Sequence, residues 1–198
     1  MSNIDPSKII DFYNYLVQYT MVCGQCLGSG RVIEGTCMVG DSAMMVAPHG
    51  ASWEQWAQWI SGMSVSRHLG VRCTEVDKGR VKLVLDGSDW CINPTGAVHG
   101  GIVIACADQA FGAVVSTVLQ PGVIPATSTF TSDFLRPAFP PLEFDAVVDR
   151  VGRTLAFVSV TVTDRFGKVC NEVRGTQVVD GSSRLANRTV STEEGVDA

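Results

Sequence analysis

The sequence has little of what usually declares a function at sight. Charge is sparse: 18% of the 198 residues are Asp, Glu, Lys or Arg, and the net charge is −5. With no basic excess, neither nucleic acid nor an anionic membrane is expected as a partner. No uncharged apolar run of about 18 residues is placed to span a bilayer. The segment Ile102–Leu119 comes closest, but it carries Asp108 and Gln109 at its middle, where lipid tolerates them worst. The start shows no basic region with a cleavage site, and Asp5 and Asp11 come early instead, so no secretory signal is expected.

Several catalytic signatures are also missing. There is no G-x-S-x-G elbow, which argues against a serine nucleophile on an α/β-hydrolase sheet. Gly28-x-Gly30 lacks the third glycine of a dinucleotide loop, and no G-x-x-x-x-G-K-[ST] phosphate loop occurs. The seven cysteines are odd in number and mostly embedded in apolar patterns. They predict reduced thiols in a cytoplasmic protein rather than a secreted disulfide scaffold.

What is present suffices for one domain with a full core plus an extension: 45% of the residues are hydrophobic. Residues 1–50 read as an N-terminal extension. Asp5-Pro6 opens a helical pattern (Ile9, Ile10, Tyr13, Leu16, Val17), and a Gly/Cys-rich segment without period follows. Residues 51–180 form the main domain, and the polar tail 181–198 is expected to be flexible.

Within the main domain a helix is predicted at 53–66, with Trp53, Trp56, Ile60 and Met63 on one face. Val71–Val76 and Val81–Leu85 flank Asp77-Lys78-Gly79 and read as a hairpin. A helix follows at about 100–119, then strands at about 125–136, 143–151, 154–163 and 169–179. That order predicts an α+β fold with an antiparallel sheet. The helix at 100–119 is apolar on every side and must be enclosed, so the sheet is expected to curve around it.

The chemistry concentrates in Asn93-Pro94-Thr95-Gly96-Ala97-Val98-His99-Gly100-Gly101 and the helix behind it. Gly100 and Gly101 let a substrate approach the backbone N–H groups and the positive end of the helix dipole. Asp108 is the helix's one carboxylate, and such a group in apolar surroundings is costly unless its charge is needed. One helix thus offers an oxyanion site and a base. Gly101 and Asp108 are roughly 10 Å apart along it, too far to serve one carbon together. Two such helices antiparallel across a two-fold axis bring each Asp108 to the partner's Gly101, which predicts a homodimer with shared sites.

The pattern Asn93-Pro94-x-Gly96-x-x-His99-Gly100-Gly101, with Asp108 nine residues after the histidine, resembles the hotdog-fold acyl-CoA thioesterases of the phenylacetate-pathway (PaaI-like) type, within the 4-hydroxybenzoyl-CoA thioesterase superfamily. Phe134-Leu135-Arg136-Pro137-Ala138 and the Gly152-Arg153 turn look like that family too, and the match covers roughly residues 53–180. The resemblance implies a hotdog fold, a homodimer or homotetramer, and hydrolysis of acyl-CoA thioesters. It implies that the Gly101 N–H stabilises the oxyanion. His99 orders the turn, Asn93 helps position substrate or water, and Asp108 of the facing subunit activates the water. Thr127 steadies that water, with Ser128 in its place should the strand register differ by one. Gly100 lies against the substrate. No metal or other cofactor is implied, because a thioester is already activated towards water. Arg136, Arg150 and Arg153 are the candidate partners of CoA phosphates.

Plainer readings stand beside these. Asp108 alone can be a buried carboxylate satisfied by backbone or water, His99 a structural hydrogen bonder, Thr127 an ordinary strand threonine, and Arg136 and Arg153 surface charges. Cys23-x-x-Cys26-x-Gly28-x-Gly30 looks like one repeat of a DnaJ-type zinc region, but pairs of repeats are needed there. Cys37 and His49 complete no zinc spacing, so free thiols are expected. The competing functions are a hotdog dehydratase or hydratase, an acyl-CoA or acyl-carrier binding module without turnover, and a scaffold acting through residues 1–50.

Overall fold

A computed structural model describes residues 47–179. The expected N-terminal helix, the segment with Cys23, Cys26 and Cys37, and the tail from Gly181 lie outside the described residues. Of the weighed zinc ligands only His49 falls inside, and its ring packs edge-on against Trp56 with centroids 5.4 Å apart.

The first element, α1 (Trp53–Gly62), starts with a reciprocal cap. Ser52 Oγ accepts from the Gln55 N–H, and Gln55 Oε1 accepts from the Ser52 N–H. The helix buries Trp56 and Ile60 but leaves Trp53 exposed. The single helix expected at 53–66 is in fact two. Met63 takes an extended backbone after Gly62, and a short α2 (Ser64–Leu69) follows, ended by Gly70 in the left-handed region. The break is held from both sides: the Arg67 guanidinium donates to the Gly62 carbonyl, and Gln109 Nε2 lies 3.0 Å from Met63 Sδ.

Strands β1 (Val71–Asp77) and β2 (Arg80–Leu85) form the expected hairpin, with Asp77 opposite Arg80 and Gly79 at φ +78 in the two-residue turn. A 3₁₀ turn at Asp89–Cys91 leads to the long helix α3 (Gly100–Ser116). That helix stops short of the expected residue 119. Ser116 and Thr117 turn their hydroxyls back onto the Gly112 and Val114 carbonyls, and Thr117 Oγ1 also accepts from the Gly79 N–H. Four strands complete the chain: β3 (Ala126–Phe134), β4 (Leu142–Val151), β5 (Leu155–Thr163) and β6 (Val169–Val178).

All six strands join one antiparallel sheet in the order β1-β2-β4-β5-β6-β3. The step from β2 to the far edge at β3 is made by α3, which crosses one face and contacts every strand except β1 in force. Val103, Cys106, Ala107, Ala110, Phe111 and Val114 of the helix meet Leu83, Phe144, Val158, Val160 and Val173 of the sheet. The approach is close at one point: a Cβ on Gly175 of β6 would lie 2.5 Å from the Phe111 ring, so only glycine lets that ring settle on the strand. This sheet wrapped on one helix is the hotdog arrangement, an α+β fold.

The sheet buries only part of α3. Gly101 is exposed, and Ile104, Ala105, Asp108 and Gly112, spaced along one side of the helix, are only half-buried. Beside that face runs β3, hydrogen-bonded on one side alone, with Phe130 39% and Phe134 53% exposed.

Candidate active site

Asn93 builds the turn that precedes α3. Its Oδ1 accepts from the Thr95 N–H, the Thr95 hydroxyl and the Ala97 N–H, at 2.9, 2.6 and 3.2 Å. Its own N–H and carbonyl bond to Ala97 and Gly96, with Gly96 at φ +80. The Asn93 oxygen is therefore fully engaged in the loop, and only its amide nitrogen is left to face another molecule. Val98 then ties to the Ala138 carbonyl and His99 to the Cys91 carbonyl, which fixes where the helix begins.

His99 is the N-cap of α3: its Nδ1 accepts from the Gly101 N–H at 3.1 Å. An accepting Nδ1 carries no proton, so in the neutral ring the proton sits on Nε2. The cap thus occupies the Gly101 N–H that the sequence assigns to the oxyanion, while the adjacent Gly100 N–H has no partner among the described residues. Gly100 also admits the Phe134 ring, two of whose carbons would stand 3.1 Å from any Cβ placed there.

Asp108 lies two turns into α3 on the uncovered face. Its Oδ1 accepts from the Thr127 hydroxyl at 2.7 Å, and its Oδ2 has no partner among the described residues. Thr127 in turn accepts from Gln177 Nε2 at 3.1 Å. Thr127 and Gln177 are direct cross-strand partners, and β3 bulges immediately after Thr127. The register sets Thr127 and Ser128, the two hydroxyls that the sequence offered, in different places. Thr127 faces the helix, whereas Ser128 occupies the bulge and is exposed.

Gln177 is a residue that sequence reasoning did not single out. The signal was there: on β6 the core-facing positions Asn171, Val173, Gly175 and Gln177 alternate, and two amides interrupt an otherwise apolar face. The arginines are all exposed and fall at opposite ends of the sheet. Arg136 follows β3 at the end where α3 begins, while Arg150 and Arg153 flank the β4–β5 turn beside the end of α3.

Burial pushes the Cys106 thiol up to about 12, with Cys91 adding to the effect, so this α3 cysteine is no nucleophile. Among the described residues no three His, Cys, Asp or Glu side chains group as metal ligands. No described helix is long and apolar enough to cross a membrane.

The profile of the thioesterase superfamily matches residues 95–171, from the Asn93 loop through α3 to β6. An inferred esterase of Thermoplasma volcanium is 30% identical over 91 residues, which are 45% of this chain and 67% of that protein. The chain belongs to the thioesterase superfamily. It is a thioester hydrolase of the PaaI-like type, and solved members share its fold. A phenylacetic acid degradation-related protein of Ralstonia eutropha, 27% identical, superposes with a TM-score of 0.57 over 63% of this chain and 98% of its own. A Streptococcus mutans protein solved bound to acetyl-CoA, also 27% identical, superposes at 0.51 over 56% of this chain and 89% of its own. In this thioesterase the matched region includes His99, Gly100, Gly101, Asp108 and Thr127, but not Gln177.

Proposed function

We propose that the protein hydrolyses acyl-CoA thioesters by attack of a water molecule that Asp108 deprotonates. The observation that carries this reading is the 2.7 Å bond from Thr127 to Asp108 Oδ1, which leaves Oδ2 available on the open face of α3. The water oxygen adds to the thioester carbonyl carbon while its proton passes to Asp108. The carbonyl oxygen becomes an oxyanion at the start of α3, where the Gly100 N–H and the helix dipole meet it, beside the Gly101 N–H that His99 holds. Collapse of the tetrahedral intermediate breaks the C–S bond, and the CoA thiolate takes the proton that Asp108 received from water, which restores the carboxylate. No metal or other cofactor enters these steps. The acyl-CoA class is supported by the acetyl-CoA held by the Streptococcus mutans relative.

The two halves of this chemistry sit about 10 Å apart along one helix, seven residues at the usual rise. A homodimer with shared sites answers that separation, each Asp108 serving the partner's helix start. The half-buried face of α3, the unpaired edge of β3 and the exposed Phe130, Phe134 and Leu135 support it, because a second copy would cover all three. Such a dimer would also set Arg153 of one subunit near Arg136 of the other, beside the site where CoA phosphates arrive. The same apolar side chains would line the acyl pocket. The free thiols Cys73, Cys91, Cys106 and Cys170 suit a reducing compartment such as the cytoplasm.

The test is loss of thioester absorbance with phenylacetyl-, benzoyl- and C2 to C16 acyl-CoAs. Turnover of at least one is expected. Tight acyl-CoA binding with no turnover of any would make the protein a binding module instead.

A further inference from the structure

Two buried amides on β6 reach across to hydroxyls on β3, and they differ in one respect. Asn171 exchanges bonds with Ser132, Oδ1 and Nδ2 both lying within 3.2 Å of the hydroxyl. Gln177 engages Thr127 through Nε2 alone, and its buried Oε1 has no partner among the described residues. The side chain is 1% exposed. An amide with one end unpaired in an apolar core works against folding, and a methionine would fill the same space without that penalty. Packing alone does not account for Gln177.

Hydrogen inventory does. The Thr127 hydroxyl has one proton to give and lone pairs to receive. An ionised Asp108 can only accept, so the proton goes to Oδ1 and the hydroxyl can then only accept in its turn. The Gln177 Nε2–H is a donor and fits that need. The reversed amide would set oxygen against an oxygen with no proton left. Gln177 thereby excludes the hydroxyl orientations that donate away from Asp108, and its donation polarises the Thr127 O–H towards the carboxylate.

We propose that Gln177 is a positioning residue of the hydrolytic site: it locks the Thr127 hydroxyl onto Asp108 Oδ1 and so leaves Oδ2 as the oxygen that takes the proton from water. The proposal rests on the reading of Asp108 as the base. It extends the site from the helix and the edge strand to β6, the strand between that edge and the rest of the sheet.

The test is a double-mutant cycle read in kcat and KM on the best acyl-CoA substrate, with thermal melts of every variant. Gln177→Met is expected to lower kcat about tenfold, the size of one lost hydrogen bond, with KM unchanged. In a Thr127→Val background the same change is expected to lower kcat no further, because the hydroxyl it orients is gone. Should Gln177→Met fail to fold, Gln177→Asn keeps an amide in the core but withdraws it from Thr127, and the same two backgrounds are compared. An unchanged kcat in the single variant would overturn the proposal. So would an equal loss in both backgrounds, which is what a packing role gives. Full activity of Asp108→Asn would instead remove the base assignment itself, an outcome separate from either.

Discussion

Thr127 on the edge strand and Asp108 at the middle of α3 are joined by a 2.7 Å hydrogen bond in which the hydroxyl donates and the carboxylate accepts. The bond gives the carboxylate two unlike oxygens, one engaged and one open. Thr127→Val removes the donor while keeping the branched shape, and kcat is expected to fall about 10- to 100-fold with little change in KM. Thr127→Ser keeps the donor and should retain most of the activity. Steady-state kinetics of the two variants side by side checks this, and equal rates would dissociate Thr127 from the chemistry.

His99 caps α3 through Nδ1, so its first role is in holding the helix start. His99→Ala is expected to destabilise the protein by about 1 kcal/mol, as losing an N-cap does. His99→Asn supplies another cap acceptor and should recover most of that in urea unfolding. Recovery of kcat by the same variant would make the histidine an organiser of the turn, and recovery of stability alone would leave its Nε2–H a place against the substrate.

The fold was largely legible because its strongest signals are periodic. The all-apolar helix, the Lys78–Gly79 turn and four alternating strands all lie within a few residues of where the pattern puts them. Boundaries went astray where side chains bond with backbone or with distant residues: at Ser116 and Thr117, whose hydroxyls turn back at the end of α3, and at Met63, whose extended backbone between two helices is met by Gln109. In the site, Asp108 stands out as the one carboxylate of an apolar run, and His99 as the histidine that precedes it. Gln177 did not, because its meaning depends on strand register: only the pairing of β3 with β6 sets it against Thr127. The arginines are opposite in kind, visible in sequence yet split between the two ends of the sheet, since strand order cannot be read along the chain.

Sharing of the site between two subunits can be tested by complementation. Gly101→Pro removes the N–H that His99 caps and so disturbs the oxyanion site at the helix start, where proline is tolerated in the first turn. It and Asp108→Asn are each expected to be inactive as homodimers. After mixing and re-association, about a quarter of wild-type activity should return, because half the dimers are mixed and each has one intact site. No recovery despite exchange of subunits would place both residues in one chain's site.

The buried thiols give the protein an alkaline weakness. Burial pushes Cys106 up to about 12 from an ordinary 9.0, and Cys73 likewise, the latter opposed in part by a backbone hydrogen bond at Glu75. The folded state keeps these thiols protonated while the unfolded chain releases the protons from about pH 9 upward. Stability is therefore complete below that pH and is lost between there and about 12. Urea unfolding above pH 9 should show wild type losing about 1 kcal/mol per pH unit more than Cys106→Ala. Parallel pH dependence of the two proteins would contradict the assignment.

The central claim is that Asp108 is the base of a thioester hydrolase. The most direct measurement is kcat of wild type and Asp108→Asn on the best acyl-CoA substrate, followed by thioester absorbance, with acyl-CoA affinity measured on both. A fall of about a hundredfold or more at unchanged affinity is the predicted result. Equal turnover by the two proteins would contradict it and leave Asp108 a structural acid bonded to Thr127.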